Sequence, residues 1–365
     1  MKAKKSIWAV MALFLYSMSF VSCGNSDEPN GGEGGKDATN YAYILCEGIW
    51  GSNNATISYY PLNEGGFVSD IYYEINKAKL GDLANDMIEY DDCVYVLLNG
   101  SKYVARLDAN AVEKARHILA TEDEGTPRYM DADDGYLYVT QHGGKVSKLN
   151  ASTLKLEAEF KGGDNLEGIV AEDGRLYVSN GFKVDGSGNF IYNKEVLVID
   201  AATMKQVGTI AVVENPDRIY EINGKIYVIS KGNYADVQPA LQVIDTRNLT
   251  AKSITSAEKI TEGNNGLIYG VRSAYDANWN LQNEFFTYNP KTGVVSEKSF
   301  LQDAPSDFST IAIYMLVVDD DSGDIYVGTS DYVTTGTIYR FDKNGKLKTS
   351  FDAGGINPKA MIFMD

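Results

Sequence analysis

The residue types that usually carry catalysis are few or unpatterned in this chain of 365 residues. Only two histidines are present, His117 and His142, which excludes a site built from several histidines. No GxSxG nucleophile motif or phosphate-binding loop occurs. Carboxylates are plentiful, but no pair is distinguished by position as a general acid and base. We therefore expect a protein that is not an enzyme and that uses no cofactor.

Two acidic segments have spacings that resemble a calcium loop. In VDGSGN (184–189), Asp185, Ser187 and Asn189 alternate as the ligands of such a loop do, but no bidentate acid follows them. DDDSGD (319–324) has the composition of a hairpin turn. We predict no metal site from either segment.

Aromatic and amide side chains suit chemistry of another kind, the non-covalent binding of a ligand. They fall in five long segments between predicted strands, 47–56, 181–195, 231–240, 272–284 and 329–337. Aromatic faces with amide groups beside them suit a large, partly flat ligand with polar edges. The alternative is that these aromatics pack their loops onto the scaffold. The candidate ligand-binding residues are Trp50, Asn53, Asn54, Phe182, Phe190, Tyr192, Tyr234, Tyr275, Trp279 and Tyr332.

The elements that must position these segments are indicated by an apolar-Tyr-apolar strand that recurs seven times. Its central residues are Tyr43, Tyr95, Tyr138, Tyr177, Tyr227, Tyr269 and Tyr326. The steps between them are 52, 43, 39, 50, 42 and 57 residues. A unit of about 40–45 residues with four short strands is the blade of a β-propeller. The sequence therefore predicts an all-β fold, a seven-bladed propeller over residues 41–365, with the tyrosines in the core between blades.

The two ends of the repeat region predict how the ring closes. YAYIL (41–45) matches a second strand with no first strand before it, and KAMIFMD (359–365) matches a first strand with no second strand after it. Their pairing would complete one blade and remove exposed sheet edges. The five long segments then all lie on one face, where propellers commonly carry function.

Charged residues stand where the first strands of several blades reach the central channel. We expect them at the channel mouth on the face with the long segments. They would either contact a ligand or pair with each other around a solvated hole. These residues are Asp86, Arg128, Glu167, Arg218 and Lys359.

Residues 1–23 have the pattern of a secretory leader. A basic start precedes an apolar run over 7–21, which is shorter than the roughly 20 apolar residues that a spanning helix needs. The run ends in FVSC, which resembles a bacterial lipoprotein signal with Cys23 as the lipidated residue. An ordinary cleavable signal with an incidental cysteine is the alternative.

Residues 24–40 predict a flexible acidic tether, because they are rich in glycine and charge and nearly free of core-forming side chains. Asp27 and Glu28 follow the candidate lipidated cysteine closely and resemble the surface-export signal of Bacteroides-type lipoproteins. We therefore expect a protein that is anchored by lipid at the outer membrane and faces the cell exterior.

The formal net charge is −17, and removal of residues 1–23 takes away three lysines and no acid, which leaves −20. Such acidity disfavours nucleic acid as a partner, because that affinity depends on lysine and arginine. It also disfavours adsorption to an anionic membrane, so we expect membrane contact only through the anchor. We expect a monomer. Cys46 and Cys93 could form a disulfide outside the cytoplasm or remain two buried thiols.

Several strands of the repeat core share one pattern, seen in IVAEDGRLYVSN, EVLVID and GTIAVVENPDRIYEINGKIYVIS. This pattern resembles the YVTN, or surface-layer-type, propeller repeat and is similar to the YncE family, over about residues 40–365. The start of the domain, in YILCEGIWGSNNATISYY and KLGDLANDMIEYDDCVYVLLNG, resembles a narrower group of Bacteroides surface lipoprotein propellers. That group includes the corrinoid-capturing BtuG proteins. The resemblance implies a corrinoid bound on the loop-bearing face and passed to a TonB-dependent outer-membrane transporter, with Trp50 as the best-matched contact.

Three functions follow from these observations. The first is capture of a large nutrient, cobalamin or a related corrinoid, without bond chemistry. The second is a structural or adhesive surface protein whose propeller binds protein or glycan. The third is a hydrolase, since propellers host several unrelated activities.

Overall fold

A computed structural model describes residues 41–63, 65–119 and 125–364. The predicted lipidation site Cys23 and the predicted tether over 24–40 lie outside these residues. Within the described part of the chain, no helix combines the length and the apolar character needed to cross a membrane.

The described residues form 27 strands, almost all of them short and antiparallel to their neighbours. In chain order they are β1 (Tyr41–Cys46), β2 (Thr56–Pro61), β3 (Ala84–Tyr90), β4 (Cys93–Leu98), β5 (Tyr103–Asp108), β6 (Glu113–Ile118), β7 (Pro127–Asp133), β8 (Tyr136–Gln141), β9 (Lys145–Asn150), β10 (Leu156–Lys161), β11 (Asn165–Glu172), β12 (Arg175–Val184), β13 (Phe190–Asp200), β14 (Lys205–Ala211), β15 (Pro216–Ile222), β16 (Lys225–Ser230), β17 (Ala240–Asp245), β18 (Thr250–Thr255), β19 (Lys259–Glu262), β20 (Ile268–Tyr275), β21 (Leu281–Asn289), β22 (Val294–Ser296), β23 (Ala312–Val318), β24 (Ile325–Ser330), β25 (Thr337–Phe341), β26 (Leu347–Asp352) and β27 (Pro358–Met364).

These strands make seven sheets, which are the blades of a propeller. Blades 1 to 6 are four-stranded and consist of β3–β6, β7–β10, β11–β14, β15–β18, β19–β22 and β23–β26. Within each blade the first strand is innermost, and the first strands of successive blades follow one another around the central channel. The predicted all-β, seven-bladed fold is confirmed.

Blade 7 closes the ring with strands from both ends of the repeat region. β27 pairs antiparallel with β1, from Tyr41 opposite Met364 to Cys46 opposite Pro358, and β1 pairs with β2. The fourth strand of this blade is reduced to a single bridge between Tyr59 and Val68. The predicted pairing of the terminal strands is therefore confirmed, although blade 7 is a three-stranded sheet.

The repeated tyrosines are core residues, as predicted. All seven central tyrosines are buried, and three of the most buried are Tyr95, Tyr227 and Tyr326. Tyr177 shows their environment, because it packs in an apolar cluster that joins blade 3 to Ile219 and Val228 of blade 4. Side chains on alternate faces of each sheet thus meet those of the neighbouring blade, and each interface has its own apolar core.

Helical structure is confined to two short segments of the described residues, α1 (Ile71–Asn76) and a 3-10 helix (Ser306–Ser309). The Asp70 side chain caps α1 by accepting a hydrogen bond from the Tyr73 N–H at 3.1 Å. Tyr72, on the same helix, is buried and hydrogen-bonds Glu113 of blade 1. The helix therefore covers the side of the ring where blade 7 lacks its outer strand.

Both cysteines of the propeller are buried free thiols, so the disulfide alternative is not realised. Cys46 lies on β1, where its thiol approaches the Ala353 carbonyl oxygen at 3.5 Å. Cys93 lies on β4, where its sulfur accepts a hydrogen bond from the Arg106 guanidinium at 3.0 Å.

Candidate ligand-binding site

One face of the ring carries the connections between second and third strands and those from a fourth strand to the next blade. The sequence predicts loops over two of its long segments, 181–195 and 272–284, but the structure extends the strands through them. β12 pairs with β13 as far as Val184 opposite Phe190, and β20 pairs with β21 as far as Tyr275 opposite Leu281. Each segment is therefore a β-hairpin that projects from the loop-bearing face. A hairpin places its side chains with a fixed spacing that a loop does not impose.

The tips of the two hairpins are built in the same way. Asp185 accepts hydrogen bonds from the backbone N–H groups of Ser187 and Asn189, at 2.8 and 2.9 Å. Asp276 accepts corresponding bonds from the backbone N–H groups of Asn278 and Asn280. These bonds hold the pKa of both carboxyl groups below the usual range. The calcium-like spacing at Asp185 is thus explained by a tip in which the carboxylate caps backbone amides.

Four of the predicted ligand-binding aromatics form one continuous row on this face. The ring centre of Phe182 lies 5.2 Å from that of Phe190, which stacks on Tyr192 with an interplanar angle of 15°. Tyr192 meets Tyr234 of blade 4 edge to face at 5.7 Å. His142 of blade 2 extends the row, with its ring centre 5.5 Å from that of Phe182. The row therefore spans three blades.

A second aromatic group occupies another part of the same face. Tyr275 and Trp279 lie on the second hairpin with ring centres 6.3 Å apart. Tyr332 lies on the β24–β25 connection and meets Tyr314 edge to face at 5.9 Å. Burial raises the pKa of Tyr332, and the nearby Tyr275 raises it further. Trp279 is 80% exposed, the highest value among the large hydrophobic residues in the described part of the chain.

Hydrogen bonds from backbone N–H groups to two polar side chains hold the Trp50 segment. The Asp82 carboxylate accepts hydrogen bonds from the backbone N–H groups of Gly51 and Asn53, at 2.9 and 3.4 Å. The Asn54 side-chain oxygen accepts the Ile49 N–H, so this amide shapes the loop. Trp50 is exposed, and no ring contact joins it to another aromatic within the described residues. The structure thus brings most of the predicted aromatics into two groups and leaves Trp50 apart from both.

The predicted channel-mouth charges are largely paired. Arg128 Nε lies 2.7 Å from Glu167 Oε2, and His142 Nε2 lies 2.9 Å from the other oxygen of the same carboxylate. Lys359 Nζ lies 3.5 Å from Glu47 Oε2. Pairing around the channel therefore accounts for three of the five predicted residues.

Asp86, a fourth predicted residue, faces the backbone of the next blade. Its carboxylate accepts hydrogen bonds from the N–H groups of Met130 and Met87, at 3.0 and 3.2 Å. Burial raises its pKa against the opposing effect of the positive charge of Arg218. Asp131 repeats this contact one blade further on, where it accepts the Ala171 N–H at 2.7 Å. These carboxylates join neighbouring blades.

Arg218 is the fifth predicted residue, and it makes a different contact. Its guanidinium carbon lies 4.2 Å from the centre of the Tyr129 ring. Lys259, which is not among the five predicted residues, lies at the start of the next first strand and faces the ring of Tyr314 at 5.9 Å. Lys359 approaches the same ring at 5.4 Å. A basic residue at a strand start, as in KITE (259–262), is the signal that could have identified Lys259.

Comparison with known proteins agrees with this architecture. The sequence model of one family, described as Domain of unknown function (DUF5074), matches residues 40–346. No curated protein matches the chain.

Similar solved structures include hydrazine synthase from Kuenenia stuttgartiensis, with 15% identity and a TM-score of 0.55 over 69% of this chain and 74% of that one. The WD40 domain of Neurospora crassa Pan2 has 10% identity and a TM-score of 0.51 over 71% and 75% of the two chains. The computationally designed Ika8 protein has 11% identity and a TM-score of 0.50 over 87% and 89%. At these identities the likeness shows the fold alone.

The site as a whole is a rigid ring with exposed aromatic groups on one face. No group of three or more histidine, cysteine or acidic residues in the described part of the chain is placed to hold a metal ion. The propeller fold is consistent with a binding protein, since a rigid scaffold with long connections on one face presents a fixed surface to a ligand.

Proposed function

We propose that this chain, which belongs to the family of the domain of unknown function DUF5074, is a binding protein. It would capture a large, partly flat ligand on its loop-bearing face. The observation that carries this proposal is the aromatic row from His142 to Tyr234, which spans three blades of the ring.

Exposure of the row supports binding over packing. Phe190 is 59% exposed and Tyr234 is 72% exposed. Exposed aromatic groups of this size on a rigid surface are typical of interaction sites. Phe190 is held by the pairing of β12 with β13, and Tyr234 is held by its ring contact with Tyr192. Little side-chain freedom is therefore lost when a ligand covers these rings.

We propose a corrinoid, such as cobalamin, as the ligand. A corrin ring is broad and nearly flat, and its amide arms can exchange hydrogen bonds with amides such as those of Asn189 and Asn280 at the hairpin tips. The resemblance to the BtuG group supports the same ligand. Binding of this kind needs no bond chemistry, so we propose a protein that is not an enzyme.

The proposed context is the outer surface of the outer membrane. The sequence of residues 1–23 supports a lipid anchor at Cys23, and the composition of residues 24–40 supports a tether behind it. A TonB-dependent transporter is the proposed partner that would receive the corrinoid. An adhesive protein that binds protein or glycan through the same aromatics is the alternative.

Titration with cyanocobalamin tests the proposal. The propeller from residue 41 onward contains two tryptophans, Trp50 and Trp279. We expect saturable binding by calorimetry and quenching of Trp279 fluorescence, because Trp279 lies beside Tyr275 on the proposed surface. The variant Trp50→Phe isolates the Trp279 signal, and Trp279→Phe isolates that of Trp50.

Free tryptophan at equal absorbance corrects for light that the corrinoid itself absorbs. Absence of calorimetric heat and of saturable quenching would contradict the corrinoid proposal. Binding of a glycan or of a protein in place of cyanocobalamin would favour the adhesive alternative, and turnover of a substrate would favour a hydrolase.

A further inference from the structure

Three aromatic side chains from two blades form an open group on the loop-bearing face. Tyr275 and Trp279 lie on the hairpin of blade 5, with ring centres 6.3 Å apart and ring planes inclined by 48°. Tyr332 joins them from blade 6, where the proximity of Tyr275 adds to the effect of burial in raising its pKa. All three residues are more than half exposed, so their ring faces remain available to a ligand.

The backbone at two of these residues has a conformation that bulky side chains rarely adopt. The φ angle is 62° at Trp279 and 66° at Tyr332, both in the left-handed region. Glycine or asparagine would fit either turn with less strain. The chain therefore holds large rings at positions where the turn alone favours small residues. Because both rings are mostly exposed, packing onto the scaffold does not account for them, and strain of this kind is typical of binding sites.

Two carboxylates give the group a negative charge. Asp276 lies on the same hairpin tip, and Asp331 directly precedes Tyr332. Their oxygens accept hydrogen bonds only from their own turns, which lower the pKa of both carboxyl groups, and neither makes an ion pair with a described residue. Residues 273–284 and 329–337 contain no lysine or arginine. Both charges are therefore present at neutral pH without a cation beside them.

The basic residues near the group already face carboxylates of their own. These pairs are Arg272 with Glu297, Lys359 with Glu47 and Lys259 with Glu258. Beyond the effects of burial and of Tyr275, Glu258 and Glu47 raise the pKa of Tyr332, and no positive charge opposes them. The potential at the Tyr332 ring is therefore negative in spite of the lysines in the channel.

We propose that Tyr275, Trp279 and Tyr332 form a binding site for a soluble organic ammonium ion, of the quaternary ammonium class. Aromatic faces attract a large, weakly hydrated cation, and rings in different planes can contact it from several sides. The carboxylates supply charge, but their oxygens are held by their turns and do not form the open set of ligands that a hard metal ion needs. The site lies apart from the aromatic row and stands whether or not that row binds a corrinoid.

Titration of the intact propeller with choline tests this site. We expect saturable calorimetric heat and a saturable change in Trp279 fluorescence, measured with Trp50→Phe so that Trp279 is the one tryptophan from residue 41 onward. The neutral alcohol that has a carbon atom in place of the choline nitrogen has the same shape and should bind about tenfold more weakly or not at all. Added sodium chloride should weaken choline binding, because it screens the two carboxylates.

Trp279→Gly and Tyr332→Gly delete single rings without straining the turns, because glycine adopts the left-handed conformation freely. Each should weaken choline binding about tenfold. Trp50→Ala removes an exposed tryptophan elsewhere on the same face and should bind choline normally. Asp331→Asn keeps an oxygen for the Val333 and Thr334 N–H groups and removes the charge, so it should weaken binding of choline but not of the alcohol.

Far-ultraviolet circular dichroism establishes that each variant keeps its fold. The proposal is overturned if choline binds no more tightly than the neutral alcohol, or if folded Trp279→Gly and Tyr332→Gly both bind choline normally. Phosphatidylcholine vesicles separate a free ion from a lipid headgroup. Cosedimentation that choline displaces would support the same site with a headgroup as its ligand, whereas cosedimentation without any choline binding would overturn the proposal.

Discussion

The guanidinium carbon of Arg218 lies 4.2 Å from the centre of the Tyr129 ring, although the two residues belong to blades 4 and 2. Blade 3 lies between them and presents Gly168 to the same cavity. A Cβ atom at this position would stand 2.6 Å from the Asp217 carbonyl oxygen and 2.7 Å from the Ile219 nitrogen. The glycine therefore permits the close approach of blades 3 and 4 beside the Arg218–Tyr129 contact.

Gly168→Ala should destabilise the ring because its methyl group collides with backbone atoms of blade 4. Overpacking of this kind costs about 1–3 kcal/mol in the free energy of unfolding. Urea unfolding measures the loss. Gly186→Ala is the control, since a Cβ atom at Gly186 meets open space. Equal stability of the two variants would show that the blades can separate at little cost.

The same substitution at two repeated tyrosines should have different effects. The Tyr95 hydroxyl donates a hydrogen bond to the Ala151 carbonyl oxygen at 3.0 Å, so Tyr95→Phe should lower the free energy of unfolding by about 1 kcal/mol. The Tyr227 hydroxyl is buried and has no hydrogen-bond partner within the described residues. Tyr227→Phe should therefore leave stability unchanged or raise it. Chemical denaturation compares both, and a loss at Tyr227 as large as at Tyr95 would refute the distinction.

Asp131 should make stability depend on pH. Burial raises its pKa to about 6 from 3.8, although the N–H groups of Ala171 and Ala132 bond the carboxylate. Between these values the native state holds a proton that the unfolded chain has released. The contribution of Asp131 to the free energy of unfolding therefore falls as pH rises from the ordinary pKa of 3.8 to the raised pKa of about 6, and it is constant above that value.

Asp131→Asn removes this titration. Between about pH 4 and about pH 7, the original protein should lose stability relative to the variant, because only the original protein has the Asp131 carboxyl group to titrate. Asp185→Asn, at an exposed hairpin tip, is the comparison, because the pKa of Asp185 is lowered instead. A difference for Asp131→Asn that stays constant with pH would contradict the assignment.

Lys259 should reduce stability at neutral pH. Its lowered pKa of about 8 means that the unfolded chain binds a proton more tightly than the native state up to the ordinary value of 10.5. Stability should therefore rise with pH across that window. Lys259→Met should raise the unfolding midpoint at neutral pH, whereas Lys252→Met should not. A lower midpoint for Lys259→Met would mean that the ammonium is well accommodated.

Removal of single rings from the aromatic row should weaken corrinoid binding with little effect on stability. Phe190→Ala and Tyr234→Ala should each reduce affinity about tenfold, or ~1.4 kcal/mol. Ile118→Ala is the control, because Ile118 is equally exposed on the outer strand β6. Calorimetry with cyanocobalamin measures all three, and unchanged affinity in both ring variants would place the ligand elsewhere.

The sequence predicted the scaffold well because each blade is encoded locally. The apolar-Tyr-apolar strands and their turns repeat in every blade, so the sequence predicts seven buried tyrosines and the pairing of β1 with β27. The short helix α1 was missed, because six residues are too few to establish a helical period. The sequence predicts loops where the structure has the two hairpins, because Asp185 and Asp276 begin polar tips that interrupt the alternation of the strands.

The sequence by itself determined the number of blades, the closure of the ring and the face with the long connections. Each blade repeats a local pattern, and the incomplete copies at the two ends of the repeat region complete one another. Only the tertiary structure decided which of the candidate residues meet. Phe190 and Tyr234 join one row while Trp50 stands apart, and Lys259 faces the same ring as Lys359 from 100 positions away. The physical reason is that the curvature of the ring sets distances across the channel, and no local pattern encodes that curvature.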